Sequence, residues 1–331
     1  MQFCKIFLLF TVLFQFMSCA KTEDEEVRSA INEANYYLNS MSCSDAQDVL
    51  DDVDFQDDNA DYLSVYAASL ACYADYKELD VLFDGNLDDI NSTSLIASLA
   101  GFSSSNETEA DSSDFTYLLQ AIKTLIENDG GDQPSTVTRN SKFGIKESGD
   151  LSLQALYLIF VSMGKFYAYY GNADNTGTKG GGTQSNSCLF SYTTQDAVDW
   201  IGDTNPGSCI AATGSEGSDD LELPVTAAVI KRRMCEGIYL YQNMMNILSN
   251  ITLPGSSELG DVGNVQTTLA TLYTAGITAE TTAGGGIYNN GAAAGQNAMT
   301  TFQDITGVDE CEAEAIEKIE KFYAIFLETI F

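Results

Sequence analysis

Ser162 and Lys165 stand three residues apart in a stretch with helical apolar spacing. On a helix that spacing lets the amine reach the hydroxyl and take its proton, the arrangement an activated serine nucleophile needs. Lys231-Arg232-Arg233 is the only dense basic cluster. It offers an anion site or, in a chain so rich in acid, pairing with the protein's own carboxylates. The acidic stretches Asp51-Asp52, Asp57-Asp58 and Asp84 to Asp89 supply hard oxygen ligands of the kind calcium takes. There is no histidine in the sequence. That absence excludes a Ser-His-Asp or Cys-His pair, imidazole acid–base catalysis and histidine-ligated zinc or haem.

The serine–lysine pair resembles the Ser-x-x-Lys motif of penicillin-binding enzymes. Tyr170-Gly171-Asn172 and Lys179-Gly180-Gly181 resemble parts of that family's other two motifs. The resemblance implies a Ser-Lys hydrolase with Ser162 as nucleophile. The three motifs fall in the right order, but all within residues 162–181, where the family interposes a helical insertion and a strand. Ser162 and Lys165 are therefore expected to form one edge of a core helix. No catalytic residue is assigned, and the chain is expected not to be an enzyme.

The metal candidates fail on pattern. In Asp84-x-Asn86-x-Asp88 the sixth position holds Asp89 and the twelfth Leu95, where a calcium-binding loop of the EF-hand type needs Gly and Glu. Solvated helix ends are expected instead, with no metal and no cofactor. Gly180-Gly181-Gly182 and Gly284-Gly285-Gly286 lack the following Gly-Lys-Ser/Thr of a phosphate loop and read as flexible connections. Asn91-Ser92-Thr93, Asn106-Glu107-Thr108 and Asn250-Ile251-Thr252 fit the glycosylation acceptor pattern, which matters only for a eukaryotic source.

Most apolar residues recur at helical spacing, which predicts helices over 24–40, 59–73, 76–83, 92–100, 113–128, 149–171, 224–250 and 309–329. Ser44 is expected to cap a short helix carrying Ala46, Val49 and Leu50, and Asn59 the next. Pro224 suits a first helical turn. Asp309 with Glu312 forms a cap-like pair that Val308 could staple. Gly-, Ser- and Asn-rich stretches at 172–187, 202–220 and 281–297 read as loops. The 149–171 helix is almost wholly apolar from Leu151 to Phe160, with Gln154, Lys165 and a tyrosine-rich end arguing against a membrane span. It is expected at the centre of the core, with Tyr167, Tyr169 and Tyr170 as candidates to line a ligand groove.

Ala34, Leu38, Ala46, Val49 and Leu50 recur, displaced by 33 positions, as Ala67, Ala71, Leu79, Leu82 and Phe83. Short helix pairs at that spacing resemble tetratricopeptide repeats, over about residues 30–85. The implied fold is all-α: an irregular helical-repeat array with long Gly/Ser/Asn-rich loops and disulfides. A polar break at Asp129-Gly130-Gly131-Asp132-Gln133-Pro134 divides the body into 19–128, a linker at 129–147, and 148–331. One continuous domain remains an alternative.

The eight cysteines are Cys4, Cys19, Cys43, Cys72, Cys188, Cys209, Cys235 and Cys311. Cys4 sits in an N-terminal segment with Lys5, an apolar run from Ile6 to Phe16, and Met17-Ser18-Cys19-Ala20 at its exit, the plan of an export signal over residues 1–18. Phe16-Met17-Ser18-Cys19 resembles the lipobox of bacterial lipoproteins. The resemblance implies cleavage before Cys19, acylation there with palmitate-type chains, and anchoring in a membrane. Ser18 fits the family's small residue before the cysteine; Phe16 and Met17 depart from its usual Leu and small residue. Cleavage after Ala20, giving a soluble secreted or periplasmic product, stays open. Ala20 and Lys21 are not the inner-membrane retention Asp, so the outer membrane is the implied location.

Six cysteines then remain, an even number in an oxidising compartment, where disulfides are the default. Local closure favours Cys43–Cys72, Cys188–Cys209 and Cys235–Cys311 among fifteen connectivities.

The formal net charge is −33, and removing residues 1–18 removes Lys5, leaving −34. Such a surface repels nucleic acid and anionic headgroups. The expected function is a membrane-anchored helical scaffold binding a protein partner in the envelope. The alternative is a small-molecule-binding periplasmic lipoprotein serving a transporter, which a cavity lined by the 149–171 tyrosines would favour over a solid core.

Overall fold

A computed structural model describes residues 22–74, 76, 99, 110, 112–127, 136–174, 178, 180–191, 217–221, 226–250, 260–282, 297–303, 305 and 307–328. All regular structure among these residues is helical. The predicted helices at 76–83 and 92–100 apart from Tyr76 and Leu99, the repeat positions Leu79, Leu82 and Phe83, Pro224, and most of the 202–220 and 281–297 stretches lie outside them.

The N-terminal end is a three-helix unit. α1 (Glu23–Leu38) starts on a capping box: the Thr22 hydroxyl accepts from Glu25 N at 3.3 Å and the Glu25 carboxylate accepts from Thr22 N at 3.1 Å. Four acidic residues fill its first turn, where the exposed N–H groups favour negative charge. α2 (Cys43–Asp51) follows a turn in which Met41 sits at φ 56°. The residue at its cap is Ser42, which makes no side-chain cap bond, so Ser44 is already one residue inside the helix. α3 (Ala60–Cys72) is capped by Asn59, whose side chain accepts from Tyr62 N at 3.1 Å. Val27, Ala34, Ala46, Leu50 and Tyr62 form a small core of their own. The Cys43–Cys72 disulfide, with Cα atoms 5.4 Å apart, ties the start of α2 to the end of α3.

α4 (Ser113–Glu127) packs Phe115, Leu118, Ile122 and Leu125 against α3 and the central helix. α5 (Thr136–Phe143) lies inside the stretch read as a linker. Its sequence has weak helix propensity, and tertiary bonds compensate: the buried Arg139 guanidinium donates to the Leu125 and Ile126 carbonyls at 2.7 and 3.0 Å, capping the end of α4. Gly144, at φ 90°, makes the tight turn into α6 (Ile145–Tyr170). α6 is long and apolar enough to cross a membrane, but 83% of its most apolar window is buried inside the protein. It is the central core helix.

α7 (Ala227–Asn250) lies against α6, and Gly237 faces Phe166 of α6 and Tyr323 of the C-terminal segment. A Cβ at Gly237 would sit 2.7 Å from the Phe166 ring. α8 (Gly260–Thr282) covers part of α7 through Leu269 and Tyr273; no periodic apolar face announces this threonine-rich helix, and sequence reading leaves it unassigned. α9 (Ala298–Phe302), α10 (Val308–Ala313) and α11 (Ile316–Phe322) complete the fold, α11 running into a π-helical turn at Tyr323–Leu327.

The predicted single helix over 309–329 is therefore broken. Glu314 and Ala315 are extended, and the Asp309–Glu312 cap pair does not form, since Gly307 occupies the cap position without a side-chain bond. The Cys235–Cys311 disulfide explains the break physically, because it pins α10 to α7 while α11 turns away to fill the aromatic core. That core brings together Tyr241, Tyr273, Phe302, Phe322 and Phe326. One hydrophobic cluster extends from Leu63 on α3 to Leu327.

Candidate functional site

Among the described residues a cleft of about 920 Å³ opens at the N-terminal end of the body. Three segments distant in sequence build it: the first turn of α1, the turn into α3, and the α5–α6 corner. Each is fixed by a local device. The Thr22 capping box sets the direction of α1 and so the placement of Glu23 and Asp24. The Asn59 cap orients the start of α3, with Asp58 and Asp61 on the rim. Gly144 sets the corner: a Cβ there would be strained by the positive φ and would meet a Glu147 carboxylate oxygen at 2.9 Å. Behind the rim, Ser64 donates to Gln154 Oε1 at 2.8 Å and the Gln154 amide donates back to the Ser64 carbonyl at 3.1 Å, locking α3 to α6.

The cleft has two kinds of surface. The half-buried Phe143 and Leu153 give it apolar area, with Leu151 and Tyr157 buried behind them. Its charged lining comprises Glu23, Asp24, Asp58, Asp61, Glu147 and Asp150 against Lys142 and Lys146, six negative and two positive. Both lysines are already paired: Lys142 with Asp57 at 2.7 Å, and Lys146 with Asp150 at 2.8 Å. The bond to Asp150 raises the Lys146 pKa, so this amine stays charged. No ion pair within 4.0 Å among the described residues neutralises Glu23, Asp24, Asp58, Asp61 or Glu147. The same residues form no cluster poised to hold a metal. The arrangement has the means to bind a cationic group with an apolar neighbour.

The residues singled out in the sequence lie elsewhere. Ser162 is fully buried on α6 and donates its hydroxyl to its own helix at the Leu158 carbonyl, 2.8 Å away. Lys165 is buried as well, and neither lines the cleft. Tyr167 and Tyr170 are core residues, 1% and 0% exposed, and burial raises the Tyr167 pKa. Tyr169 donates to Asp220 at 2.8 Å. None of the three tyrosines lines the cleft; Tyr157, three turns earlier on the same helix, does.

Both arginines of the basic cluster are turned to internal use. Arg233 donates to the Asp220 carbonyl at 2.8 Å and approaches its carboxylate at 3.4 Å, while Arg232 meets Glu236 at 3.3 Å. Of the cysteines, Cys43–Cys72 and Cys235–Cys311 are bonded, and Cys188 is disulfide-bonded to a cysteine outside the described residues. Cys19 and Cys209 also lie outside them. The acidic stretch Asp57-Asp58 was visible in the sequence, but its role on a cleft rim depends on α1 and α6, which no local pattern brings together.

No known family model, curated protein or solved structure matches this chain.

Proposed function

We propose that the protein is an exported, lipid-anchored helical scaffold that binds a protein partner at the cell envelope, with the N-terminal cleft as its docking face. The observation that carries this reading is the form of the cleft: an open, polar-walled groove beside a buried helical core, rather than an enclosed apolar chamber of the kind small-molecule sites favour. The burial of Tyr167 and Tyr170 weighs against the small-molecule alternative. The inert setting of Ser162 weighs against a Ser-Lys hydrolase. Disulfides support folding in an oxidising compartment, as export through residues 1–18 requires. Lipidation at Cys19 supplies the anchor, at the outer membrane in this reading. A tetratricopeptide-like repeat over about residues 30–85 is kept as a proposal.

The test is palmitate labelling with membrane fractionation of wild type against Cys19→Ala. Labelled, membrane-bound wild type and an unlabelled, soluble variant are expected. Wild type that is unlabelled and freely soluble would remove the anchor. Crosslinking from intact envelopes then identifies the partner.

A further inference from the structure

We propose that the cleft docks a lysine- or arginine-bearing segment of a membrane-embedded protein. The chemistry of the occupant follows from the walls. The lining has a net charge of −4, six carboxylates less two lysines, and both lysines are committed to neighbouring aspartates. The five carboxylates without an ion pair stand exposed around the half-buried Phe143 and Leu153. A long cationic side chain matches both surfaces, since its methylenes cover apolar area while its head meets the carboxylates. Anionic lipid headgroups are rejected by the same walls and by the net charge of the whole chain.

The location of the occupant follows from chain length. This part rests on the anchor reading above. Glu23 and Asp24 line the cleft, and Thr22, which caps α1, stands three residues after Cys19. Three residues span at most about 11 Å. A lipid on Cys19 would therefore hold the cleft mouth close to the headgroup layer, within reach of segments that emerge from an integral membrane partner.

The test uses the full chain purified from membranes in detergent and a fluorescein-labelled decapeptide of alternating lysine and alanine. Fluorescence anisotropy is read at about 0.15 M ionic strength. Two charge-matched variants separate the cleft from the general field: Asp58→Asn/Asp61→Asn/Glu147→Gln in the rim, and Asp45→Asn/Asp48→Asn/Asp52→Asn on exposed positions of α2 and its C-cap outside it. The rim variant should bind about ten-fold more weakly and the α2 variant within about two-fold of wild type. Equal weakening in both, or wild-type binding no tighter than that of a glutamate–alanine decapeptide, overturns the proposal. Cys19→Ala should bind the free peptide as wild type does. If that holds but wild type takes no palmitate, the anchor fails and the cleft assignment stands. If palmitate is incorporated but the two triple variants bind alike, the anchor stands and the cleft assignment fails.

Discussion

Glu236 is held nearer to neutrality than an ordinary glutamate. Burial raises its pKa to about 7, against the opposing pull of Arg232 and Arg233 and with a further push from Glu312 on α10. The folded value is raised above the unfolded one of about 4.5, so the folded state binds the extra proton. Its contribution is favourable below about pH 4.5 and is lost as pH rises through 7. Glu236→Gln removes the buried charge and keeps the shape. The variant should be more stable than wild type by about 2 kcal/mol at pH 8, and the gap should close near pH 4.5. Urea denaturation of both proteins at both pH values reads this, and a gap that does not change with pH would show that Glu236 is solvated. Such a residue is invisible in the sequence, where Arg232 and Glu236 look like an ordinary surface pair four apart. What makes it different is α10, brought over it through Cys235–Cys311. Asn59 was legible for the opposite reason, because its capping bond to Tyr62 is local.

At the scale of elements, the N-terminal unit and the main body should part company when the right bond is cut. α1–α3 keep a separate small core around Tyr62, whose hydroxyl donates to the Leu50 carbonyl at 3.1 Å. Cys43–Cys72 closes that unit over a separation of 29 residues, which is worth about 3.5 kcal/mol in the chain-entropy picture. Replacing both cysteines by Ala should therefore speed hydrogen exchange in α1–α3 while protection in α6 and α7 persists. Loss of protection spread evenly through α7 would mean that the two cores unfold as one. The α5–α6 corner gives a second case. Gly144→Ala forces a side chain onto φ 90° and into the Glu147 carboxylate, so about 1–3 kcal/mol of stability should be lost in a thermal melt, with Gly149→Ala as a control where nothing lies within 4 Å. Helices with a strong apolar stripe, α4 and α6 above all, could be read in advance to within a few residues. α5 could not, because its stability comes from Arg139 reaching the carbonyl ends of α4, a long-range bond in a segment whose own composition suggests a linker.

For the whole molecule, charge dominates. With 48 acidic and 15 basic side chains, complete pairing of every cation would still leave 33 carboxylates unneutralised. Their mutual repulsion grows on compaction and opposes the folded state. Raising ionic strength from about 0.01 M to 0.2 M shortens the screening length from about 30 Å to under 10 Å, so that repulsion across the body is largely removed. The melting temperature should therefore rise with added KCl over this range. The rim variant Asp58→Asn/Asp61→Asn/Glu147→Gln should melt higher than wild type at low salt and respond less to KCl, because it removes three crowded charges and breaks none of the bonds that hold α1, α3 and α6 together. A melting temperature that falls with salt would mean that favourable ion pairs outweigh the excess charge. A rim variant less stable than wild type at every salt concentration would mean that the rim carboxylates support the fold, in which case the cleft would be a structural joint and not a surface kept open for a cationic partner.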